Sequence, residues 1–500
     1  MRAYLFTAAL LLVSCDTDPE PRPPPSTRLV YPSGLAFWRP EGGPSTNGYL
    51  YVANANFDRC YDSGSVVALD LDALGVRPFG APFTEPALPS DQVPSIEDLR
   101  VSPASYVRIQ SFAGEMGLWA PTGRSPRLFV ASRAEANVLH SIDVGADGTS
   151  LTCVDGGGTD CRDKGLSLVD VPGSVGGFPS APGPQGITVD RANPDASVWV
   201  THSEIVGPAE SGDENEFQSY LVNVPASNPT RDVLGIDNFV PLGTNGQTAG
   251  AAHSTAIGSR YTYASGRNTS SKQLGARPAR FILRLVDRQV PGVVLDTQLG
   301  TDRDYSVREA RGVAVLTSAV RTVANPADPA APFTVVDERV YLLARGPDTL
   351  LILDVVNAGG TAPGAGDVPS VRIVSALPLP EGASELEVIP RGAGRGNLVA
   401  ITGSGDEAVS IFDEEVGQLI AQVQVGEQDP NQPSQPFGLA ADVRGNAARL
   451  FASTFGDGRV AVIDIPDLDR PQNARLVVRL GAQQLRDPRQ GTSVCQENSP

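Results

Sequence analysis

Short apolar runs, each closed by a carboxylate or an amide, recur along the whole of this chain. The clearest is Arg459-Val460-Ala461-Val462-Ile463-Asp464. Its counterparts end at Asp70, Asp143, Asn223, Asp287, Asp354 and Asp413, at intervals of 51 to 80 residues. β-Branched residues in short runs fill strands, and the Gly, Asp and Asn residues between them supply the positive φ of hairpin turns. One small antiparallel sheet, repeated with variable loops, is the simplest source of the pattern.

The last repeat reads as four strands, at 436–442, 449–453, 460–465 and 474–480. The first matches it with 33–37, 49–54 and 64–70. Second strands recur at 128–132, 198–202, 261–265, 340–344 and 398–402. Seven second strands and seven third strands predict an all-β chain: a seven-bladed β-propeller of four-stranded antiparallel blades. Repeats four and five are the most degenerate, so six and eight blades stand as alternatives. A ring also accommodates the length. One core stops growing near ~300 residues, whereas blades pack only on their neighbours. The acids that close the third strands are expected to cap their own turns by accepting backbone N–H groups.

Three pieces of each repeat carry a resemblance. Inner strands read Pro184-Gln185-Gly186-Ile187-Thr188 and Pro436-Phe437-Gly438-Leu439-Ala440, and a second strand reads Tyr51-Val52-Ala53-Asn54. Third strands read Val-x-Val-Ile-Asp. The set resembles the surface-layer, YncE-like YVTN repeat family of β-propellers. The match is strong in repeats one, six and seven, partial in two, three and five, and weak in four. The resemblance implies a seven-bladed propeller used mainly as a scaffold. It implies no reaction, because propellers host many.

The chain is expected to divide into a signal peptide at 1–14, a tether at 15–27, the propeller at 28–482 and a tail at 483–500. Arg2 followed by the apolar run 3–13 is too short to span a bilayer. It ends in Leu12-Val13-Ser14-Cys15, which resembles the bacterial lipobox. That resemblance implies lipidation of Cys15 and firm anchoring through several acyl chains. The Pro-rich stretch behind it favours polyproline II and reads as a stand-off tether. Asp16 resembles an inner-membrane retention signal that varies between lineages, so inner and outer membranes both stay open. The expected location is the cell envelope, with membrane contact through the lipid alone.

Composition narrows the partners. A net charge of −18 disfavours nucleic acid and anionic surfaces. Without Cys15, four cysteines remain in an exported chain, which predicts disulfides. Cys153 and Cys161 flank a glycine-rich loop able to close on itself. That leaves Cys60 with Cys495, a bridge that would staple first blade to last. Crossed pairings and free thiols are the alternatives.

Catalytic signals are sparse. There is no Gly-x-Ser-x-Gly elbow, no His-Glu-x-x-His and no phosphate-cradling loop. His140, His202 and His253 fall at different strand positions, so no shared metal is expected, and no cofactor is expected either. His202, Glu204 and Arg133 are the candidate catalytic residues. Arg133, Arg267 and Arg345 follow second strands and would share a rim, where they could hold an anion or pair with Glu135 and Asp348. The expectation is a monomeric, non-enzymatic scaffold presenting its rim to an envelope protein or polymer. A lactonase-like hydrolase or a lyase on that rim is the alternative.

Overall fold

The computed structural model describes residues 22–484 except 41, 44, 176–178, 205–218, 244–250, 267–281, 291, 298, 300–308, 326–327, 329, 361–368, 393 and 428–430. Within these, seven antiparallel sheets follow one another along the chain and no α-helix occurs. Blade 1 runs Pro32–Trp38, Tyr49–Asn54, Gly64–Asp70 and Tyr106–Ile109. Blade 7 runs Pro436–Arg444, Ala447–Thr454, Arg459–Ile465 and Arg475–Leu480. Each successive pair of inner strands packs together, and blade 7 packs back on blade 1, so the ring closes with seven blades.

Closure follows from which way the side chains point. In a strand, alternate residues face opposite sides of the sheet. In blade 1, Leu50 and Val52 join Phe451 and Val460 of blade 7, whereas Tyr49 and Tyr51 join Leu128 and Val130 of blade 2. Seven apolar clusters result, one in each interface between adjacent blades. Both faces of a second strand are therefore buried, which is why it reads as an unbroken apolar run.

Among the described residues, the four main strands of each blade come from one continuous stretch of chain. A strap from blade 1 fastens the ring. Ser95–Ile96 adds in parallel to the outer edge of Arg475–Leu480 in blade 7. Buried Arg479 donates to the carbonyls of Ser90 (2.7 Å), Val93 (3.2 Å) and Val425 (3.0 Å). The Arg77 and Arg475 guanidiniums lie over Phe83 at 3.7 and 3.4 Å. At the same interface Phe37 stacks on Phe451 at 5.3 Å.

Every inner strand breaks step with its second strand near its start, and that of blade 5 does so a second time, between Thr317 and Ala319. Pairing jumps from Pro32 to Leu35, Ala113 to Met116, Pro184 to Ile187, Ala252 to Thr255, Ala310 to Val313, Ala383 to Leu386 and Pro436 to Leu439. A bulge sets two residues against one and leaves a backbone group out of the ladder. Second-strand hydroxyls take up that group. Thr201 Oγ1 accepts from Gly186 N (3.0 Å) and donates to His253 O of the next blade (2.6 Å). Thr402 does the same between Glu385 N (3.0 Å) and Phe437 O (2.8 Å). One hydroxyl thus fills a gap inside its blade and ties that blade to its neighbour.

The acids closing the third strands do two jobs. Asp70, Asp287 and Asp413 accept turn N–H groups, as expected. Asp143, Asp354 and Asp464 instead hold the second-strand arginines facing them, Arg127, Arg339 and Arg449, at 2.8, 2.7 and 2.6 Å. Cys153 and Cys161 form the expected disulfide, with Cα atoms 5.5 Å apart. Cys60 is disulfide-bonded too. Cys495 and Cys15 lie outside the described residues. The end of the tether is docked, with Pro24 buried and its carbonyl taking the Tyr106 hydroxyl at 2.9 Å.

Candidate functional site

The bulges build a polar layer around the axis of the ring. Their first position carries Gln185, His253 and Arg311 in blades 3, 4 and 5. Their second position is glycine in blades 1, 3, 5 and 7. In the blades between, it is Glu115, Ser254 and Glu385. Where glycine stands, neighbouring backbones are too close for a side chain. A Cβ on Gly438 would meet Ser33 O at 2.0 Å, and one on Gly186 would meet His253 O at 2.3 Å.

Glu115 and Glu385 come from blades that are not adjacent, so their carboxyl groups meet across the central channel. One oxygen of each and a ring nitrogen of His253 all lie within 4.8 Å of one another. Glu115 Oε2 accepts from Ile187 N at 3.0 Å. The Oε1 atoms of both glutamates are shut off from solvent and accept no hydrogen bond. Burial, and then the facing Glu115 carboxyl, push Glu385 well above the usual carboxylate range. Burial raises Glu115 as well, opposed by its hydrogen bonds with Glu385, Ile187 and Ser254. Glu387, next along the same face, is pushed up to about 7 by burial. Two buried carboxyl groups this close share a proton or a cation.

A chain of polar contacts runs beside the pair. Arg133 Nη1 lies 3.5 Å from Gln185 Oε1, and Gln185 Nε2 lies 2.8 Å from His253 Nε2. The amide donates, so His253 accepts there. Arg311 also meets His253 Nε2, and it pairs with Glu309.

Gln185 and Arg133 lead up to an aromatic cup over blades 7, 1 and 2. It encloses about 210 Å³ between Phe57, Phe112, Phe437 and Phe455, with Arg133 and Gln185 at its polar side. Phe57 meets Phe112 edge-on at 5.1 Å and Phe455 at 5.7 Å, and Tyr31 backs Phe455 at 5.0 Å. Yet Phe57 is 50% exposed. The loops carrying these rings are strained. Phe112, which lines the cup, has a positive φ, as do Tyr31, Asn56, Arg59 and Gln435, which pack on its rings or lie within two residues of them. Backbone held in that region costs about 1–3 kcal/mol per residue and persists where the surroundings enforce it.

The residues singled out from sequence fall elsewhere, Arg133 apart. His202 is fully buried in blade 3. Its Nε2 accepts from Tyr220 N at 2.7 Å, and burial lowers it to about 4. His140 is likewise buried, accepting from Gln110 N at 3.1 Å and lowered to about 3. Glu204 is exposed, and the cup that Arg133 lines contains neither His202 nor Glu204. Arg345 ties blade 5 to blade 6, donating to Ala383 O (2.6 Å), Gly382 O (3.0 Å) and Ser384 Oγ (2.9 Å). Asp348 and Glu135 accept backbone N–H groups instead, from Gly382 (2.5 Å) and Ser111 (2.9 Å). Arg267 lies outside the described residues.

The channel residues Glu115, His253 and Glu385 were not picked out from sequence for a site. For the two glutamates the signal was a departure from the repeat, glutamate standing where Pro-x-Gly-Ile/Leu has its glycine.

No protein-family model matches the sequence, and no curated protein matches it. Among solved structures, the chain is similar in architecture to a dihydro-heme d1 dehydrogenase, NirN, in complex with DHE. Identity is 11%, coverage is 91% of this chain and 67% of that one, and the TM-score is 0.42. It is also similar to apo AztD from Citrobacter koseri, at 11% identity, 90% and 86% coverage and a TM-score of 0.36. A third is the PQQ-bound aldose sugar dehydrogenase from Streptomyces coelicolor, at 16% identity, 68% and 89% coverage and a TM-score of 0.33.

Proposed function

We propose that this chain is a lipid-anchored protein of the cell envelope, akin to the YVTN repeat family, whose propeller serves as a binding module. Its partner is an envelope protein or polymer that seats an apolar side group in the aromatic cup. The strained aromatic cup is the observation that carries this reading. A ring such as Phe57, held half-exposed among loops in unfavourable backbone conformations, is costly to a monomer that has no use for it. Arg133 and Gln185 give the cup a polar edge, which fixes orientation in the manner of small, mostly apolar sites. Anchoring rests on Leu12-Val13-Ser14-Cys15.

The test immobilises the mature chain and passes detergent-solubilised envelope over wild type and over a Phe57→Asp, Phe455→Asp variant. One species retained by wild type and lost by the variant, with melting temperature unchanged, is expected. Equal retention by both sinks the reading. Globomycin treatment of expressing cells tests the anchor, since an unprocessed precursor should accumulate.

The channel carboxyl pair favours a second reading, a hydrolase or lyase. Buried acids with raised pKa values beside a histidine are suited to proton transfer. Turnover of an ester or lactone panel, abolished by Glu385→Gln, would put this reading first.

A further inference from the structure

We infer that Glu115, His253 and Glu385 form a binding site for a single divalent transition-type cation at the axis of the propeller. This inference is independent of the cup. Three ligand atoms, two carboxylate oxygens and one imidazole nitrogen, already lie within 4.8 Å of one another. A tetrahedral zinc site with bonds near 2.0–2.2 Å needs its ligand atoms about 3.4 Å apart, so side-chain rotation of roughly an ångström completes it. The ligands arrive from blades 2, 4 and 6, each on the same bulge, so the rigid ring sets their spacing.

A second observation is independent of that clustering. Glu115 Oε1 and Glu385 Oε1 are out of solvent contact and accept no hydrogen bond. A buried carboxylate oxygen without a donor is unfavourable, and a cation bridging the pair satisfies both. The mixed nitrogen and oxygen set fits zinc, cobalt or nickel. Calcium and magnesium prefer six or more oxygen ligands. Three protein ligands leave a coordination position open to the channel.

Charge favours occupancy. Glu115 and Glu387 act on Glu385 from close by, against the guanidinium of Arg311. Arg311 contacts His253 and pairs with Glu309. It is the cation that competes with the metal, and metal entry turns it fully onto Glu309.

The experiment titrates the full mature chain, stripped with chelator, with Co²⁺ and then Zn²⁺. Cobalt is followed by its visible absorption and zinc by competition with a chromophoric chelator. One equivalent is expected, with an intense tetrahedral-type cobalt spectrum that zinc quenches. Glu115→Gln and Glu385→Gln, isosteric changes checked by circular dichroism, should each weaken binding at least ten-fold. Arg311→Met should tighten it several-fold. The inference is overturned if wild type takes up neither metal. It is also overturned if the double glutamine variant binds as wild type does, which would mark surface acids as the binders. Loss of binding in Arg311→Met overturns it as well.

Discussion

Replacing Thr201 by valine isolates the hydroxyl that joins bulge to neighbouring blade. Thr201 is fully buried, and valine copies its shape, so neither a cavity nor a change in blade spacing follows. Two hydrogen bonds disappear, at 3.0 Å from Gly186 N and at 2.6 Å to His253 O. The Gly186 N–H has left the ladder at the bulge, where pairing jumps from Pro184 to Ile187. An orphaned buried donor costs about 1–3 kcal/mol, and a deprived carbonyl about 1 kcal/mol more. The added methyl returns up to about 0.8 kcal/mol. Thr201→Val should therefore destabilise by about 1–3 kcal/mol. Thr402→Val, with the same geometry three blades away, should match it, and the two should add to within about 0.5 kcal/mol because they share no partner. Urea unfolding followed by circular dichroism reads this as a shift in midpoint at unchanged slope. A cost under about 0.5 kcal/mol at both sites would refute the hydroxyl-clasp reasoning.

Three further outcomes are expected. Gly438→Ala forces a methyl onto Ser33 O and should cost about 1–3 kcal/mol or more, whereas Gly235→Ala meets nothing and should be neutral or mildly stabilising; equal effects in thermal melts would count against close packing of the inner strands. His202 is lowered to about 4 when folded, against about 6.5 unfolded, so its neutral form stabilises fully above pH 6.5, and that contribution is lost as pH falls toward 4. Between pH 7.5 and 5 wild type should lose about 2 kcal/mol more than His202→Gln in chemical denaturation; identical losses would show that His202 titrates normally. Arg479→Met keeps the stem but removes three carbonyl contacts to the strap side of blade 7, so protease should nick residues 77–96 at least ten-fold faster than in wild type, and unchanged cleavage would show that the strap is held by other means.

The architecture could be read from the order of residues alone. Second strands are buried on both faces, so they had to be apolar throughout, and turn chemistry had to recur at each hairpin. Both marks are local and repeat in every blade, which made seven sheets countable even in the degenerate fourth and fifth repeats. The Cys153–Cys161 bridge was legible for the same reason, since a glycine-rich loop brings together two cysteines only 8 positions apart. The double role of the third-strand acids was half legible: turn caps are local, but the arginine facing Asp464 is set by register with another strand. The site depends on ring closure. Glu115, His253 and Glu385 are more than a hundred residues apart, and they meet because a ring returns every inner strand to one axis. Packing buried His202 within blade 3 and turned Arg345 into a tie between blades. The strap across blade 7 was invisible for the same reason, because a loop's destination depends on where the ring places its neighbour.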